Sequence, residues 1–451
     1  MHMTSKLAKL GLFDAMVPRY TSYPTAPQFK PEIGGAQMES WVRAIPPGGQ
    51  ISLYLHVPFC RRLCWFCACR TQGTQTLTPV AGYLETLIQE IEMLGQMLPD
   101  GVTLSRMHWG GGTPTLLSSG MIDELAGAVA DVAPLASGAE FSVEVDPNEI
   151  DSARVDALAR VGMTRASIGV QDFDPEVQTT IGRIQSFEVT RDAADMLRAS
   201  NITSLNADIL FGLPHQDETR IAASVQKLLT LNPDRVALYG YAHVPWMARR
   251  QSMIPSDALP APERRLSLFE TAARLFEWDG YTQIGIDHFA APHDSLAVAA
   301  RAGLLRRNFQ GYTDDPAETL VGLGASAISR FRQGYTQNAS ATSAYAKAIQ
   351  SGRFAAARGH AFAGEDLLRA RIIEALMCDF EVRFDDMALR FPGATRHLAE
   401  LLQSAADQFG EMVHLGETGL RIRPEGRPLT RIIARFFDAY DMSGAGHASA
   451  I

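Results

Sequence analysis

The sequence has no long apolar run, no excess of positive charge and little cysteine outside one short stretch. Each absence removes a class of protein. A membrane-spanning helix needs roughly 18 to 20 apolar residues in succession, and even the stretch from Leu125 to Ala136 is broken by Asp131 and Pro134. The formal net charge is −9, which excludes affinity for nucleic acid or anionic lipid through overall charge. The opening Met-His-Met-Thr-Ser-Lys lacks the basic, apolar and small-residue order of a secretory leader, so a cytoplasmic protein is expected. No short-period repeat or low-complexity tract is present. With 46% hydrophobic and 20% charged residues, 451 residues suffice for a large core without disulfide staples.

What cysteine there is gathers in one place. Of five, Cys60, Cys64, Cys67 and Cys69 fall within ten residues, and Cys378 stands apart on an apolar helical face as an expected core thiol. Three thiols at Cys60-x3-Cys64-x2-Cys67, just after a predicted strand, can wrap one inorganic centre without help from distant chain. In a reducing compartment such proximity means metal more often than disulfide. Three ligands on a four-iron cluster leave one iron open to substrate or cofactor. The alternative is a structural zinc ion held by all four thiolates, although zinc sites usually join two separated pairs.

From Ile51 to about Gln283, short β-branched or aromatic runs alternate with longer segments of helical period. The predicted strands are Ile51–Val57, Arg106–Trp109, Glu140–Val145, Arg165–Val170, Asn206–Phe211 and Val236–Tyr241. Between them, Leu84, Leu87, Ile88, Ile91 and Leu94 share one stripe after Pro79, and Pro262-Glu263 opens a helix carrying Leu266, Phe269 and Phe276. Right-handed crossovers of this length predict an α/β fold, a partial (β/α)6 barrel. Residues 1–48 are rich in Pro and Tyr and read as an extended arm over it. Residues 49–360 read as the barrel with an extension that is irregular between about Asp287 and Gly359. Residues 361–451 read as a small, mainly helical domain, with a hairpin over Met412–Ile422, an apolar-faced segment over Leu429–Tyr440 and a winged-helix-like order. The small residues Ser443–Ala450 are expected to fray.

Ligand sites in barrels gather at the C-terminal rim of the strands. Gly110-Gly111-Gly112-Thr113-Pro114 lies there, where glycines admit a ligand that side chains would exclude, although such a turn is commonly only a turn. Glu144, Gln171, Asp208 and Ala242 fall at or just beyond strand ends, where a carboxylate often only caps the next helix.

Cys60-x3-Cys64-x2-Cys67 with Phe66 before the last Cys, flanked by Tyr54-x-His56-x-Pro58-Phe59, resembles the signature of the radical S-adenosylmethionine (SAM) superfamily. Within it the chain is similar to oxygen-independent coproporphyrinogen III oxidases, through Arg19-Tyr20-Thr21-Ser22-Tyr23-Pro24-Thr25, Cys69, His108–Thr115, Gly169–Phe173 and Arg307–Thr313. The resemblance implies one [4Fe-4S] cluster on Cys60, Cys64 and Cys67, and two SAM molecules. Tyr54, Phe66, Gly111, Glu144 and Ile328 would contact the first; Gly112, Thr113, Gln171, Arg183, Asp208 and Ala242 the second. Tyr54 and Cys69 carry an implied catalytic contribution.

The implied reaction turns two propionates of coproporphyrinogen III into vinyl groups, giving protoporphyrinogen IX for haem biosynthesis through a 5′-deoxyadenosyl radical. Four propionates call for arginines. Arg19 and Arg307 stand in matching motifs, with Gln310 nearby; Arg249, Arg250 and Arg306 are further candidates, and any of these is commonly a solvated surface charge. His288 follows a predicted strand and is expected to face the substrate, whereas a lone His such as His56 is more often structural. A low-potential donor of flavodoxin or ferredoxin type is implied, as is a monomer, with no nucleic acid or membrane partner. Haem chaperones of the same superfamily are the rival reading; they generally lack the Arg19–Thr25 arm and the cysteine at Cys69. A transfer-RNA-modifying enzyme would call for a basic accessory domain that is not seen.

Overall fold

The computed structural model describes residues 2–441 and 449–451. The apolar runs pair side by side as six parallel strands: β1 (Gln50–Val57), β2 (Thr103–Gly111), β3 (Leu135–Val145), β4 (Arg165–Gln171), β5 (Ser204–Phe211) and β6 (Arg235–Gly240). In register, Tyr54 faces His108, His108 faces Ser142, Ser142 faces Arg165, and Ser167 faces Asn206. β2 runs past its expected end because Gly110 and Gly111 still pair with His56 and Val57. Two of the three glycines are therefore strand rather than turn.

Helices return the chain on the outside: α1 (Thr78–Gly95), α2 (Ser119–Val132), α3 (Ser152–Arg160), α4 (Phe187–Ala199) and α5 (Glu218–Leu229). In α1, Leu84, Leu87, Ile91 and Leu94 are buried against the sheet, as their spacing requires. The side chains of Ser118, Asp151, Ser186 and Asp217 each accept an N–H of the first helical turn. These caps fix where each strand-to-helix loop ends, and so the height of the rim.

The stretch expected to be irregular extends the sheet instead. After α6 (Pro262–Trp278) come β7 (Thr282–Ile284) and β8 (His288–Ala290), the latter antiparallel to β6. A hairpin of β9 (Arg306–Asn308) and β10 (Gly311–Thr313) follows, then β11 (Leu320–Leu323), parallel to β1. β12 (Ile328–Phe331), β13 (Gly334–Asn338) and β14 (Ala356–Ala361) continue antiparallel. The twelve-stranded sheet thus has the order β14-β13-β12-β11-β1-β2-β3-β4-β5-β6-β8-β7. These added strands are short, and β13 is buried at every position, so no two-residue alternation marks them.

The N-terminal segment is not simply extended. Gly35–Arg43 is a helix that places Met38 and Val42 in the barrel core. Ahead of it, Leu7, Leu12, Tyr20 and Tyr23 join Leu376, Leu402, Phe409 and Phe437 in a second core. That second core belongs to the helices Asp366–Asp379, Phe384–Arg390, Thr395–Phe409 and Thr430–Phe436 with a three-stranded sheet, Glu381–Arg383, Val413–Gly416 and Gly419–Ile422. The expected hairpin is there, turning at Glu417-Thr418. The segment Leu429–Tyr440 is helical only over Thr430–Phe436, because Pro424 and Pro428 hold the approach in a tighter 3₁₀ turn. Of the tail expected to fray, Ser449 bridges Met16 and Ala450 is buried, while residues 443–448 lie outside the described residues.

One buried charge ties α1 to the extension. The carboxyl of Glu90, fully buried, accepts hydrogen bonds from the Gly324 N–H (2.7 Å), Asn338 Nδ2 (2.8 Å) and the Tyr345 hydroxyl (2.8 Å). Burial outweighs these donors and pushes it up to about 7. A carboxyl that titrates higher folded than unfolded favours the fold at low pH, and that contribution is lost as pH rises through 7. Relative to Glu90→Gln, the wild type is expected to lose up to about 2 kcal/mol between about pH 5.5 and 8. Thermal unfolding of both across that range checks it; parallel profiles would refute it.

Candidate active site

Successive side chains on a strand point to opposite faces, and in these strands many of the residues turned inward are polar. Tyr54 and His56 from β1, His108 from β2, Ser142 and Glu144 from β3, Ser167 from β4, Asp208 from β5 and Tyr239 from β6 line a cavity of about 560 Å³. At the lower strand ends it is closed by ion pairs: Arg165 to Glu140 (2.7 Å), Arg235 to Asp294 (2.9 Å) and Arg106 to Asp314 (2.7 Å). At the rim it is bounded by Cys69, Gln310 and Ile328.

The cysteine loop is pinned to this rim from several sides. Its short strand Phe59–Cys60 pairs with Gln72–Gly73. The Gly112 N–H donates to the Val57 carbonyl (2.8 Å) and the Thr113 N–H to the Phe59 carbonyl (2.7 Å), so the glycine motif holds the base of the loop. A side chain at Gly112 would place its Cβ 2.5 Å from the Phe59 carbonyl oxygen; at Gly111, where φ is +108°, it would meet the His56 ring at 2.4 Å. Farther along, the Trp65 N–H donates to the Ile181 carbonyl (2.9 Å), Gln251 Nε2 to the Phe66 carbonyl (2.7 Å) and Arg250 Nη2 to the Cys69 carbonyl (3.1 Å).

All the thiols are free. A hydrogen bond from the Cys69 thiol, with the Cys69 N–H (3.4 Å from Cys67 Sγ), Arg250 and Arg183, outweighs burial and brings Cys67 down to about 6. Burial pushes Cys60 up to about 11, partly offset by Thr113. Arg183 Nη1 lies 3.6 Å from Cys64 Sγ and 3.4 Å from Asp146 Oδ2, and its buried Nε has no partner. Burial raises Cys64 as well, against the pull of Arg183; Arg183 and Arg250 thus set fixed cations beside Cys64 and Cys67, which suits an anionic sulfur-ligated group. Among the described residues no three His, Cys, Asp or Glu side chains converge on a single ion.

Beside the loop, Glu144 accepts the Gly111 N–H (2.9 Å) and lies 3.6 Å from His108 Nε2. Burial acts to raise it, but these partners hold it below the usual carboxylate range. Tyr54 stacks on His108 with ring centroids 5.7 Å apart, and its hydroxyl is hydrogen-bonded to His56 Nδ1 (2.9 Å). Asp208 is pushed up to about 6 by burial, although Asn206 donates to it at 2.9 Å.

The expected residues thus fall into separate groups. Tyr54, Cys69, Gly111, Glu144, Asp208, Gln310 and Ile328 line the cavity. Phe66, Gly112 and Thr113 hold the loop. Gln171, at φ +70° in a bulge of β4, and Arg183 meet at Gly169, whose carbonyl accepts Arg183 Nη2 at 2.9 Å. Ala242 and Arg19 instead line a second cavity of about 300 Å³ between the rim and the C-terminal helices, where Arg19 donates to the Gly240 carbonyl (2.6 Å). Arg307 is buried 4.4 Å above the Tyr312 ring and reaches the Arg19 carbonyl (3.3 Å), with Nε and Nη1 unpartnered. Arg306 is held by Glu374 (3.0 Å), and Arg249 is exposed.

His288 lines the cavity, fixed by Asp287 at 2.7 Å and 3.4 Å from the Tyr239 hydroxyl. Sequence reasoning missed His108 and Tyr239 as parts of the site. Their signal was there: polar residues at every second place in strands otherwise apolar, as in Asn206-x-Asp208 and Ser142-x-Glu144.

An open parallel barrel with a three-thiol loop on its rim is the architecture of one class, and residues 54–228 match the description of the radical SAM superfamily. An oxygen-independent coproporphyrinogen III oxidase of Paracoccus denitrificans is 65% identical over 451 residues, covering 100% of both chains. One of Salmonella typhimurium is 37% identical, covering 96% of this chain and 95% of its own. The solved coproporphyrinogen III oxidase of Escherichia coli, a radical SAM enzyme by its description, superposes with a TM-score of 0.89 at 35% identity, covering 95% of this chain and all of that one. The chain belongs to the family of oxygen-independent coproporphyrinogen III oxidases.

Proposed function

We infer that this protein oxidatively decarboxylates two propionate side chains of coproporphyrinogen III to vinyl groups without oxygen, a step of haem biosynthesis. The observation that carries this reading is the cysteine loop, three free thiols flanked by Arg183 and Arg250, pinned over a polar barrel cavity. Cys60, Cys64 and Cys67 would hold a [4Fe-4S] cluster. With SAM bound and one electron delivered by a carrier, such a group would supply radical chemistry for hydrogen abstraction from a propionate β-carbon, the carboxyl being lost as carbon dioxide.

The chain's own groups bind and exclude. Glu144, kept ionised by Gly111 and His108, suits the ammonium of SAM, with Tyr54, Phe66, Gly111 and Ile328 around it. Gly112, Thr113, Gln171, Arg183, Asp208 and Ala242 serve a second SAM on this reading. The two unpartnered donors of Arg307 match a propionate carboxylate, supported by Arg19 and Gln310. Cys69 lines the cavity beside the ligand thiols. The ion pairs at the lower strand ends keep bulk water from the radical. The reduced thiols fit a cytoplasmic setting, and electrons come from a small low-potential carrier to a monomeric enzyme.

The test is anaerobic turnover of the reconstituted protein with coproporphyrinogen III, SAM and reductant, read by mass spectrometry. Loss of two carboxyl groups in succession, alongside 5′-deoxyadenosine, is the expected result. Intact substrate, with tight haem binding instead, would overturn the reading in favour of a haem chaperone.

A further inference from the structure

A third cavity, of about 310 Å³, is walled by the arm at Tyr20–Tyr23, by β9, β12 and β13 and by the helix Asp366–Asp379. Six arginines line it, Arg306, Arg307, Arg330, Arg332, Arg371 and Arg390, against two carboxylates, Glu318 and Glu374. The available anions are shared. Glu374 pairs with both Arg306 (3.0 Å) and Arg371 (3.1 Å), Asp386 with both Arg371 and Arg390 at 2.8 Å each, and Glu318 takes Arg332. That leaves two cations over. Arg330, half-buried on β12, makes no side-chain hydrogen bond or ion pair among the described residues. Arg307 is only 8% exposed, and its Nε and Nη1 have no partner. Buried donors left unmet on a cation call for an anionic ligand. Between the charges the walls are aromatic, with Tyr20, Tyr23, Phe331, Tyr335 and Phe362, so the pocket suits carboxylates carried on an apolar body.

This pocket shares a wall with the main cavity. Arg307 lies 4.4 Å over the ring of Tyr312, and Tyr335 meets Phe309 edge-on with centroids 5.6 Å apart; Tyr312 and Phe309 both line the main cavity. One layer of side chains thus separates the two spaces, and a tetrapyrrole in the main cavity needs only to send its propionate arms past it. No residue of the cysteine loop lines the pocket, so a carboxylate held there is kept apart from the ligand thiols. Of the four propionates of coproporphyrinogen III two react, and the two that survive in protoporphyrinogen IX are neighbours on the macrocycle, flanking one bridge carbon.

We propose that this pocket receives the neighbouring pair of propionates that the reaction leaves intact, one carboxylate on Arg307 and the other on Arg330, and so fixes which two propionates face the radical. This rests on the decarboxylase reading above and assigns Arg330 a specificity-determining role in it. Two guanidiniums with unmet donors in one pocket match two carboxylates that stand side by side, and their unpaired charge is what the substrate brings acids to neutralise.

Coproporphyrinogen I is the discriminating probe: it carries the same four propionates, but they alternate with methyl groups around the ring, so no two are neighbours. Anaerobic calorimetric titration of the reconstituted protein gives the binding of each isomer, and turnover gives KM and kcat. Wild type is expected to bind isomer III at least about tenfold more tightly than isomer I, and Arg330→Gln to weaken isomer III by about the same factor while leaving isomer I within about twofold. KM for isomer III should rise with little change in kcat, whereas a merely structural role for Arg330 would weaken both isomers alike. Arg330→Lys, which keeps the charge, is expected to recover part of the selectivity, and Arg353→Ala, exposed and outside the pocket, to change nothing. Equal binding of the two isomers by wild type, an unchanged Arg330→Gln, or equal loss of both isomers in that variant would each overturn the proposal. The wild-type comparison needs no variant, so it decides even if Arg330→Gln fails to fold. Turnover without isomer selectivity would overturn the pocket and leave the function standing; selective binding of isomer III without loss of carbon dioxide would do the reverse.

Discussion

Replacing Cys64 with alanine is expected to abolish the iron–sulfur absorption of the reconstituted protein and with it all SAM-derived 5′-deoxyadenosine. Two remaining thiols, Cys60 and Cys67, cannot hold a four-iron cluster with one open iron. The surroundings make the loss complete rather than partial. Arg183 is half-buried and reaches Cys64 at 3.6 Å, so without that sulfur its Nη1 is left with Asp146, its Nη2 staying on the Gly169 carbonyl and Gln185, beside a space shaped for a thiolate. The fold should survive, because Cys64 is only half-buried and belongs to no core cluster. Iron and sulfide content with the visible spectrum decide it, and four irons bound with unchanged absorption would overturn the ligand assignment. Cys378→Ala is the control: that thiol packs with Ile284, Leu305 and Tyr312, so its loss should cost stability and leave the cluster intact.

Gly112→Ala is expected to have the second-largest effect. The added Cβ would sit 2.5 Å from the Phe59 carbonyl oxygen and 2.8 Å from both the Phe59 nitrogen and the Val57 carbonyl oxygen. All three are backbone atoms, which cannot swing away as a side chain can. Relief requires breaking the Gly112 to Val57 and Thr113 to Phe59 hydrogen bonds that seat the loop on the rim. A destabilisation of about 2–3 kcal/mol follows from that class of overpacking, with cluster content and 5′-deoxyadenosine formation falling at least a hundredfold. Gly120→Ala, whose Cβ meets nothing within 4 Å on the outer helix α2, is expected to leave both unchanged. Equal behaviour of the two variants would refute the role given to the glycine motif.

Three thiols within eight residues and six apolar runs at crossover spacing are local patterns, and they were readable because their meaning does not depend on what lies opposite. The N-terminal helix Gly35–Arg43 and the short strands β7 to β14 were not readable. A three-residue strand such as His288–Ala290 has no period to detect, and its identity comes from the β6 backbone it pairs with. The same holds for neighbouring arginines: nothing in Arg306-Arg307 says that the first meets Glu374 while the second is buried over Tyr312.

By itself, then, the sequence determined the barrel strands, the cysteine loop and the chemistry that loop can hold, because chelation by one loop is a short-range property. Only the tertiary structure decided how the rim is assembled. It brings Arg183 to Cys64 across 119 residues, Gln251 to Phe66 across 185 and Arg307 to Arg19 across 288. Those contacts depend on strand register and helix packing summed over the whole sheet, and no window of sequence contains both partners.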